Sequence, residues 1–182
     1  MTSRLRLAVV LALAGALFAS GVRAAGPELT ITPVARDGQL LVSFALVDGL
    51  TPDMRDAIQS GLATSFSYDV ELRRAAATWF DQTLASLTIT ASVRFDNLTR
   101  RYQLARSFDG RVEDARPTED EEEVRIWLTE FERVPLTATS ALEVNGEYYI
   151  RVRANARPRN TWFPWPWDDG SITGQAQYTF IP

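Results

Sequence analysis

The feature that most constrains the fold is an alternation of apolar and polar residues with a period of two. In SLTITASVRF, residues 86–95, every second residue from Leu87 to Phe95 is apolar, and the residues between them are polar. YYIRVRANA (148–156) and SITGQAQYTF (171–180) alternate in the same way. Because successive side chains of a strand point to opposite faces, this pattern predicts antiparallel strands with one buried and one solvated face.

Further strands are predicted from similar, less regular patterns, which brings the total to about eight; they lie near residues 28–35, 39–47, 64–74, 99–107 and 134–144. The segment DGRVEDARP, residues 109–117, is predicted to be a loop that separates two halves without dividing the core. No long linker or repeat interrupts the chain, so residues 25–182 are expected to form a single, mostly β globular domain.

Two helices are predicted beside these strands. The first has Thr51 as its N-cap, Pro52 at its first position and a terminating Gly61. The second has Thr118 and Glu121 in capping-box spacing. Its apolar face is predicted to contain Val124, Trp127, Leu128 and Phe131. The predicted fold class is α+β, predominantly antiparallel β, as a sandwich or half-open barrel with two short helices packed on the sheet.

Residues 1–24 have the pattern of a secretory signal peptide. Arg4 and Arg6 precede an apolar stretch from Leu7 to Ser20, which is short for a membrane span, and cleavage is expected near Ala24. The alternative is an uncleaved N-terminal anchor. Cleavage would give a protein of the periplasm or the extracellular medium.

The chain has no cysteine, no histidine and no lysine, since all 19 of its basic residues are arginine. These absences exclude disulfides, thiolate zinc sites, thiol nucleophiles, Schiff-base lysines and Walker-type phosphate loops. No metal or cofactor is therefore expected. Without Arg4, Arg6 and Arg23, 16 arginines stand against 23 acids, and this negative balance argues against nucleic-acid binding.

Several short segments carry a family resemblance by their order and spacing. They are AIQSGLATSF at 57–66, WFD at 79–81, VRFDNLTRRY at 93–102, VPL at 134–136 and YYIRVRA at 148–154. Together they resemble the bacterial envelope family catalogued as domain of unknown function 4390. The resemblance implies a small exported protein, with a loose association with membrane sensor kinases, and it supplies no catalytic residues.

The segment RNTWFPWPWDDGS, residues 159–171, is a candidate contact with a partner or a membrane. Its prolines exclude a central strand. Its large rings could plug one end of the sheet, stack on a sugar, or lie at a membrane or partner surface. The candidate contact residues are Trp162, Phe163, Trp165 and Trp167.

Arginines on two predicted strands form a second candidate surface: Arg100, Arg101 and Arg106 on one, and Arg151, Arg153, Arg157 and Arg159 on or after the other. If the two strands share a sheet face, Arg101, Arg151 and Arg153 could hold phosphate or carboxylate groups. The alternative is that the arginines pair across strands with Asp69, Glu71, Glu143 and Glu147.

The expected function is that of a non-enzymatic envelope interaction module that contacts a membrane protein or a membrane surface. One alternative is a carrier of a lipid-like ligand held near Trp127 and Phe131. Another is a cell-wall hydrolase using two carboxylates from Asp69, Glu71, Asp81 and Asp96. The acidic run at 119–123 is interpreted as the first turn of a helix rather than as a calcium site, because consecutive helical positions diverge.

Overall fold

The computed structural model describes residues 26–74, 82–158 and 171–181. Residues 1–24, for which a signal peptide is predicted, lie outside these ranges. The described residues form nine strands and two α-helices. In chain order the elements are β1 (Glu28–Arg36), β2 (Gln39–Val47), α1 (Pro52–Gln59), β3 (Thr64–Arg74), β4 (Gln82–Asp96), β5 (Arg101–Phe108), β6 (Arg111–Thr118), α2 (Glu121–Thr129), β7 (Glu130–Ala138), β8 (Glu147–Pro158) and β9 (Ile172–Thr179).

The strands form two antiparallel sheets. One sheet has three strands in the order β1-β2-β7, and the other has six in the order β6-β5-β4-β3-β8-β9. Two hairpins turn at Asp-Gly pairs, Asp37-Gly38 and Asp109-Gly110, in which both residues have positive φ. Such turns match the twist of antiparallel strands, so these dipeptides fix the β1–β2 and β5–β6 hairpins.

The two sheets pack face to face around an aromatic cluster. The ring centroid of Phe44 lies 4.7 Å from that of Phe131, its neighbour in the small sheet. It lies 5.3 Å from the ring centroid of Tyr68, which belongs to the large sheet. The hydroxyl of Tyr68 donates to the carbonyl of Leu128 at 2.7 Å, which satisfies its polar group inside the core. The predicted α+β fold with predominantly antiparallel strands is confirmed, and the described strands form two antiparallel sheets rather than a closed barrel.

Helix α1 has the termini that its sequence predicts. The hydroxyl of Thr51 accepts the amide of Met54 at 3.3 Å, and Pro52 is the first helical residue. Gly61 follows the helix with φ of 91°, the left-handed conformation in which glycine carries no steric penalty. Met54 and Ile58 are buried, so the helix lies on the core.

Helix α2 differs from its prediction at both ends. Asp120, not Thr118, is the N-cap, since its carboxylate accepts the amide of Glu122 at 2.9 Å. The helix ends at Thr129, and Phe131 belongs to β7 because the backbone is already extended at Glu130. The spacing of Phe131 continues the apolar period of the helix and predicts a helical residue. In the structure Phe131 is instead buried in the core as a residue of strand β7.

The predicted loop at 109–117 is wrong. Residues 109–110 form a hairpin turn and the rest belong to β6, an edge strand whose residues are almost all exposed. A strand exposed on both faces has no apolar alternation, so the pattern that predicts the other strands is missing here. The predicted strand at 134–144 is β7, which begins earlier and ends at Ala138.

Strand β1 lies against β9, where the edges of the two sheets approach one another. A Cβ atom on Gly174 of β9 would lie 2.7 Å from Cβ of Leu29 and 3.1 Å from its carbonyl oxygen. The absence of a side chain at Gly174 therefore allows the backbones of β1 and β9 to meet.

Candidate functional site

The aromatic candidates Trp162, Phe163, Trp165 and Trp167 lie outside the described residues, as does Asp81. Their contribution to a contact stays a prediction. Of the arginine candidates, Arg159 also lies outside the described residues, whereas Arg101, Arg151 and Arg153 lie within them.

Arg101 begins β5, and its side chain is about half exposed. Its guanidinium forms an ion pair with Glu119 at 2.8 Å. A pair of this exposure is worth little in stability, on the order of 0.5 kcal/mol. The position is therefore accessible, although its charge is already matched.

Arg151 and Arg153 lie on β8, on the face of the six-stranded sheet that points away from the small sheet and the helices, here called the outer face. Arg151 forms an ion pair with Glu71 at 2.7 Å. Arg153 lies opposite Asp69 in the β3–β8 register. Asp69 also accepts the hydroxyl of Thr88 at 3.1 Å. The Arg151–Glu71 ion pair agrees with the alternative of pairing across strands, whereas Arg153 is placed opposite Asp69 by the strand register alone.

A continuous arginine stripe would require β5 and β8 to be neighbours. The sheet order places β4 and β3 between them. Three strand spacings separate the two strands, or roughly 14 Å. Arg101 therefore does not join Arg151 and Arg153 in one cluster.

Arg106, a member of the predicted arginine surface, instead points inward from β5 and has a structural role. Its guanidinium donates to the carbonyls of Ile126, Trp127 and Glu130 at the end of α2, the last at 2.8 Å. It also lies 4.4 Å from the ring of Trp127 and 4.3 Å from that of Phe131. Burial lowers the pKa of Arg106 to about 10, so the group remains charged at neutral pH.

Alternation along β5 contains the signal for this orientation. Tyr102 and Leu104 are buried, and Arg106 follows them at the same parity. Arg101 has the opposite parity and is exposed. The two-residue period of a strand places Arg101 and Arg106 on opposite faces of the sheet, so the prediction that they share one surface is wrong.

Asp69 and Glu71, considered as a hydrolase pair, share the outer face of β3. Glu71 binds Arg151 and lies 3.8 Å from Arg73. Asp96 is used differently, because it accepts the backbone amide of Leu98 at 2.9 Å in the β4–β5 turn, and this bond holds its pKa below the usual range. Each of these carboxylates has a structural partner.

The acidic run at 119–123 also diverges, as its helical position predicts. Glu122 binds Arg125 and Glu123 binds Arg116, both at 2.7 Å. Glu121 accepts the side-chain amide of Gln59 at 2.9 Å. Within the described residues, no three acidic side chains come together in a way that could hold a metal ion.

A groove of about 330 Å³ lies between the two helices and is here called the helix groove. The helices run antiparallel, since Gln59 at the end of α1 reaches Glu121 at the start of α2. Buried apolar and aromatic side chains form its floor: Leu50, Ile58, Tyr102 and Val124. Polar and charged side chains form its rim: Arg55, Gln59, Glu121, Glu122 and Arg125.

A second hollow of about 320 Å³ extends the helix groove toward the end of β2. The two share Leu50, Arg55 and Arg125. Asp48 and Glu130 add two more acids to its lining. The floor and rim therefore continue from one hollow into the other.

The negative charge of the chain is concentrated around this groove. Residues 48–61 and 119–130, which contain both helices and their flanks, hold nine of the 23 acids but only two of the 19 arginines. With the three arginines before residue 25 set aside, the remaining 14 acids are matched by 14 arginines. The helices and their flanks together thus carry the whole charge imbalance of residues 25–182, and we call their exposed surface the acidic face.

Arg125 sets the acidity of Glu122 on the rim. Its hydrogen bond to Glu122, aided by its charge and that of Arg55, holds the pKa of Glu122 below the usual range. We expect Arg125→Gln to raise this pKa toward the ordinary value of about 4.3. A carboxyl whose pKa is lower in the folded state stabilises the fold at pH values above its unfolded pKa, and this stabilisation disappears as the pH falls through the folded pKa. Arg125→Gln is therefore expected to be less stable than the wild type near neutral pH, by the amount that the lowered pKa of Glu122 contributes.

NMR titration of the side-chain carboxyl carbons measures the change. Glu143 serves as the internal control, because its pKa is lowered by Arg74 at a distant site and should keep its value in Arg125→Gln. An unshifted Glu122 would show that Arg125 does not hold it in solution.

Trp127 and Phe131, proposed as walls of a lipid site, are both almost fully buried in the core. Neither lines the helix groove or its extension. Among the described residues, no helix is long and apolar enough to cross a membrane.

Comparison with known proteins identifies one family. A family model described as "Domain of unknown function (DUF4390)" matches residues 29–160, which confirms the resemblance carried by the short segments. No curated protein and no solved structure matches the chain. The matched range includes both helices and therefore the entire helix groove.

Proposed function

Because the chain belongs to the family described as domain of unknown function (DUF4390), whose description names no activity, we propose a function from the groove itself. The protein is a non-enzymatic binding module of the cell envelope, and it contacts another protein through the acidic face. The predicted signal peptide supports the location, and the helix groove supports the mode of contact.

The observation that carries this proposal is the coincidence of an apolar floor with concentrated negative charge. Apolar floors provide the free energy of desolvation on binding, while charged rims select the partner and speed its encounter. The floor of Leu50, Ile58, Tyr102 and Val124 fits apolar side chains. The surrounding acids fit lysine or arginine residues, so the partner presents a basic segment with an apolar stripe.

A partner protein fits the acidic face better than a membrane surface does. Envelope lipids are commonly anionic, and the acidic face would be repelled by them. Two of the arginines that could offset this repulsion, Arg101 and Arg151, are paired with Glu119 and Glu71, and a third, Arg153, lies opposite Asp69. Binding to lipid would therefore have to use a different surface of the molecule.

The carboxylates support a non-enzymatic role. Asp69, Glu71 and Asp96 each have a hydrogen-bond or ion-pair partner within the fold. A glycosidase pair needs one carboxyl free to donate a proton and another free to attack or to activate water. These partners instead account for the carboxylates as parts of the sheet and its turn.

A pair of matched peptides tests the proposal on the mature chain. One peptide is an amphipathic helix with a leucine stripe flanked by lysines, and the other has glutamates in place of the lysines. We expect the lysine peptide to bind, with an affinity that falls as salt is added, and the glutamate peptide not to bind. Fluorescence anisotropy of labelled peptides gives both affinities.

Charge-reversal variants locate the contact. Glu121→Lys is expected to weaken binding about tenfold, equivalent to about 1.4 kcal/mol. Glu132→Lys makes the same change in net charge on β7, where the side chain is exposed, and is expected to have little effect. Equal weakening by both variants would mean non-specific attraction. If the protein bound phosphatidylglycerol vesicles and not the lysine peptide, the partner would be a membrane surface and the proposal of a protein partner would be wrong.

A further inference from the structure

A separate hollow of about 430 Å³ lies at the corner of the large sheet where β8 begins and β9 ends, and we call it the corner hollow. Its volume falls within the range of small-ligand sites, about 300–1,000 Å³. It is distant in the fold from the helix groove, since no element is shared between their linings. Its chemistry is therefore independent of the protein contact proposed above.

The register of β8 and β9 explains which side chains meet there. Glu147 lies opposite Thr179, and Tyr149 lies opposite Gln177. The next outward residue of β9 is Gln175. Alternate residues of two paired strands thus place a carboxylate, a hydroxyl, two amides and a tyrosine on one surface.

The charge balance around the corner hollow selects a neutral ligand. Arg151 lies opposite Gln175, but it is paired with Glu71 at 2.7 Å. Arg73 beside Tyr149 lies 3.8 Å from the same carboxylate. Of the lining residues only Glu147 is charged, so the corner hollow has no cation to hold a phosphate and only one carboxylate to attract a basic peptide.

Amide side chains offer both donors and acceptors in one plane. Gln175 and Gln177 alternate on the same strand, so their amides extend from neighbouring positions of one face. A ligand dense in hydroxyl groups can satisfy such amides as donor and acceptor at once, whereas an apolar ligand would leave them unpaired. The ring of Tyr149, on the same face as the two glutamines, adds an apolar wall of the kind that ligand sites use for packing.

We propose that the corner hollow is a glycan-binding site, in which Gln175, Gln177 and Glu147 hold the hydroxyl groups of a neutral oligosaccharide. With the acidic face at the helices, the module has one surface for a protein and another for a carbohydrate. The two contacts use different elements, so both can be occupied together.

Amide-resolved NMR titration of the mature chain tests the site. The probes are neutral oligosaccharides of N-acetylglucosamine, glucose and galactose, with inorganic phosphate and a lysine peptide as charged comparisons. We expect one neutral glycan to shift the amides of residues 147–149 and 175–179. Gln177→Ala is expected to raise its Kd about tenfold through lost hydrogen bonds.

Gln103→Ala is the matched control, because Gln103 is an exposed glutamine of the same sheet on β5, far from the corner hollow. It should leave the affinity unchanged, and the unshifted spectrum elsewhere shows that each variant is folded. Absence of shifts at the corner hollow with every neutral glycan, or shifts there with phosphate or the peptide alone, would overturn the proposal. So would a glycan affinity that Gln177→Ala does not change.

Discussion

Arg106→Met is expected to lower the free energy of unfolding by about 3 kcal/mol, because it removes the charged donor shared by three carbonyl oxygens. The guanidinium of Arg106 serves the carbonyls of Ile126, Trp127 and Glu130, where α2 ends and β7 begins. Hydrogen bonds to a charged donor are each worth about 1.5–3 kcal/mol, and the desolvation of the guanidinium offsets part of that sum.

Two further variants separate charge from geometry. Arg106→Lys keeps the charge but not the planar fork, so one ammonium cannot serve all three carbonyls, and we expect it to recover less than half of the loss. Arg101→Met removes an exposed arginine from the same strand and should cost less than about 1 kcal/mol. Urea denaturation measures all three. A wild-type midpoint for Arg106→Met would mean that other donors satisfy the end of α2.

Gly174→Val is expected to destabilise the fold by about 3 kcal/mol, and Gly174→Ala by about 2 kcal/mol, in line with overpacked cores. Any Cβ at Gly174 would meet Cβ of Leu29 at 2.7 Å. The nearest atom belongs to the stem of a side chain, which a rotamer change cannot move. Strand β1 would therefore have to withdraw from β9.

Gly26→Ala is the matched control for this position, since a Cβ there would have no atom within 4 Å. Denaturant midpoints of the three variants give the comparison, and Gly26→Ala should lie within about 0.5 kcal/mol of the wild type. If Gly174→Val were as stable as Gly26→Ala, the close approach of β1 and β9 would not persist in solution.

Strands with one buried face were predictable from the sequence, and the edge strand β6 was not. The predicted strand at 64–74 matches β3, because Phe66, Tyr68, Val70 and Leu72 alternate with polar residues. Strand β6 presents almost every side chain to solvent and contains Pro117 and four charges. These residues suit an unpaired sheet edge, since they discourage pairing with another chain, but they carry no periodic signal.

Helix starts were predictable only where one capping residue was available. Thr51 is followed by Pro52 and has no competitor, and its role is confirmed. Before α2, Thr118 and Asp120 can both act as caps, and spacing alone does not choose between them. The end of α2 depends on Arg106, a residue of another strand, which no local pattern contains.

The helix groove could not be predicted as a unit. Leu50, Tyr102 and Val124 come from separate parts of the chain, and only the sheet order brings them to one floor. The rim acids Glu121 and Glu122 lie in the first turn of α2, as the interpretation of the acidic run predicts. Their contribution to the negative charge around the groove could not be predicted, because it depends on the two helices lying side by side in the structure.

The sheet order also determines how the chain must fold. In both sheets an early strand is completed by a late one, since Phe44 of β2 pairs with Phe131 of β7 and Tyr68 of β3 pairs with Ala154 of β8. Contacts between residues so distant in sequence form slowly, because the chain loses the conformational entropy of closing a long loop before the contact energy is gained. Until residues 130–158 are in place, β2 and β3 present open hydrogen-bonding edges, and the folding chain is most prone to aggregate during that interval.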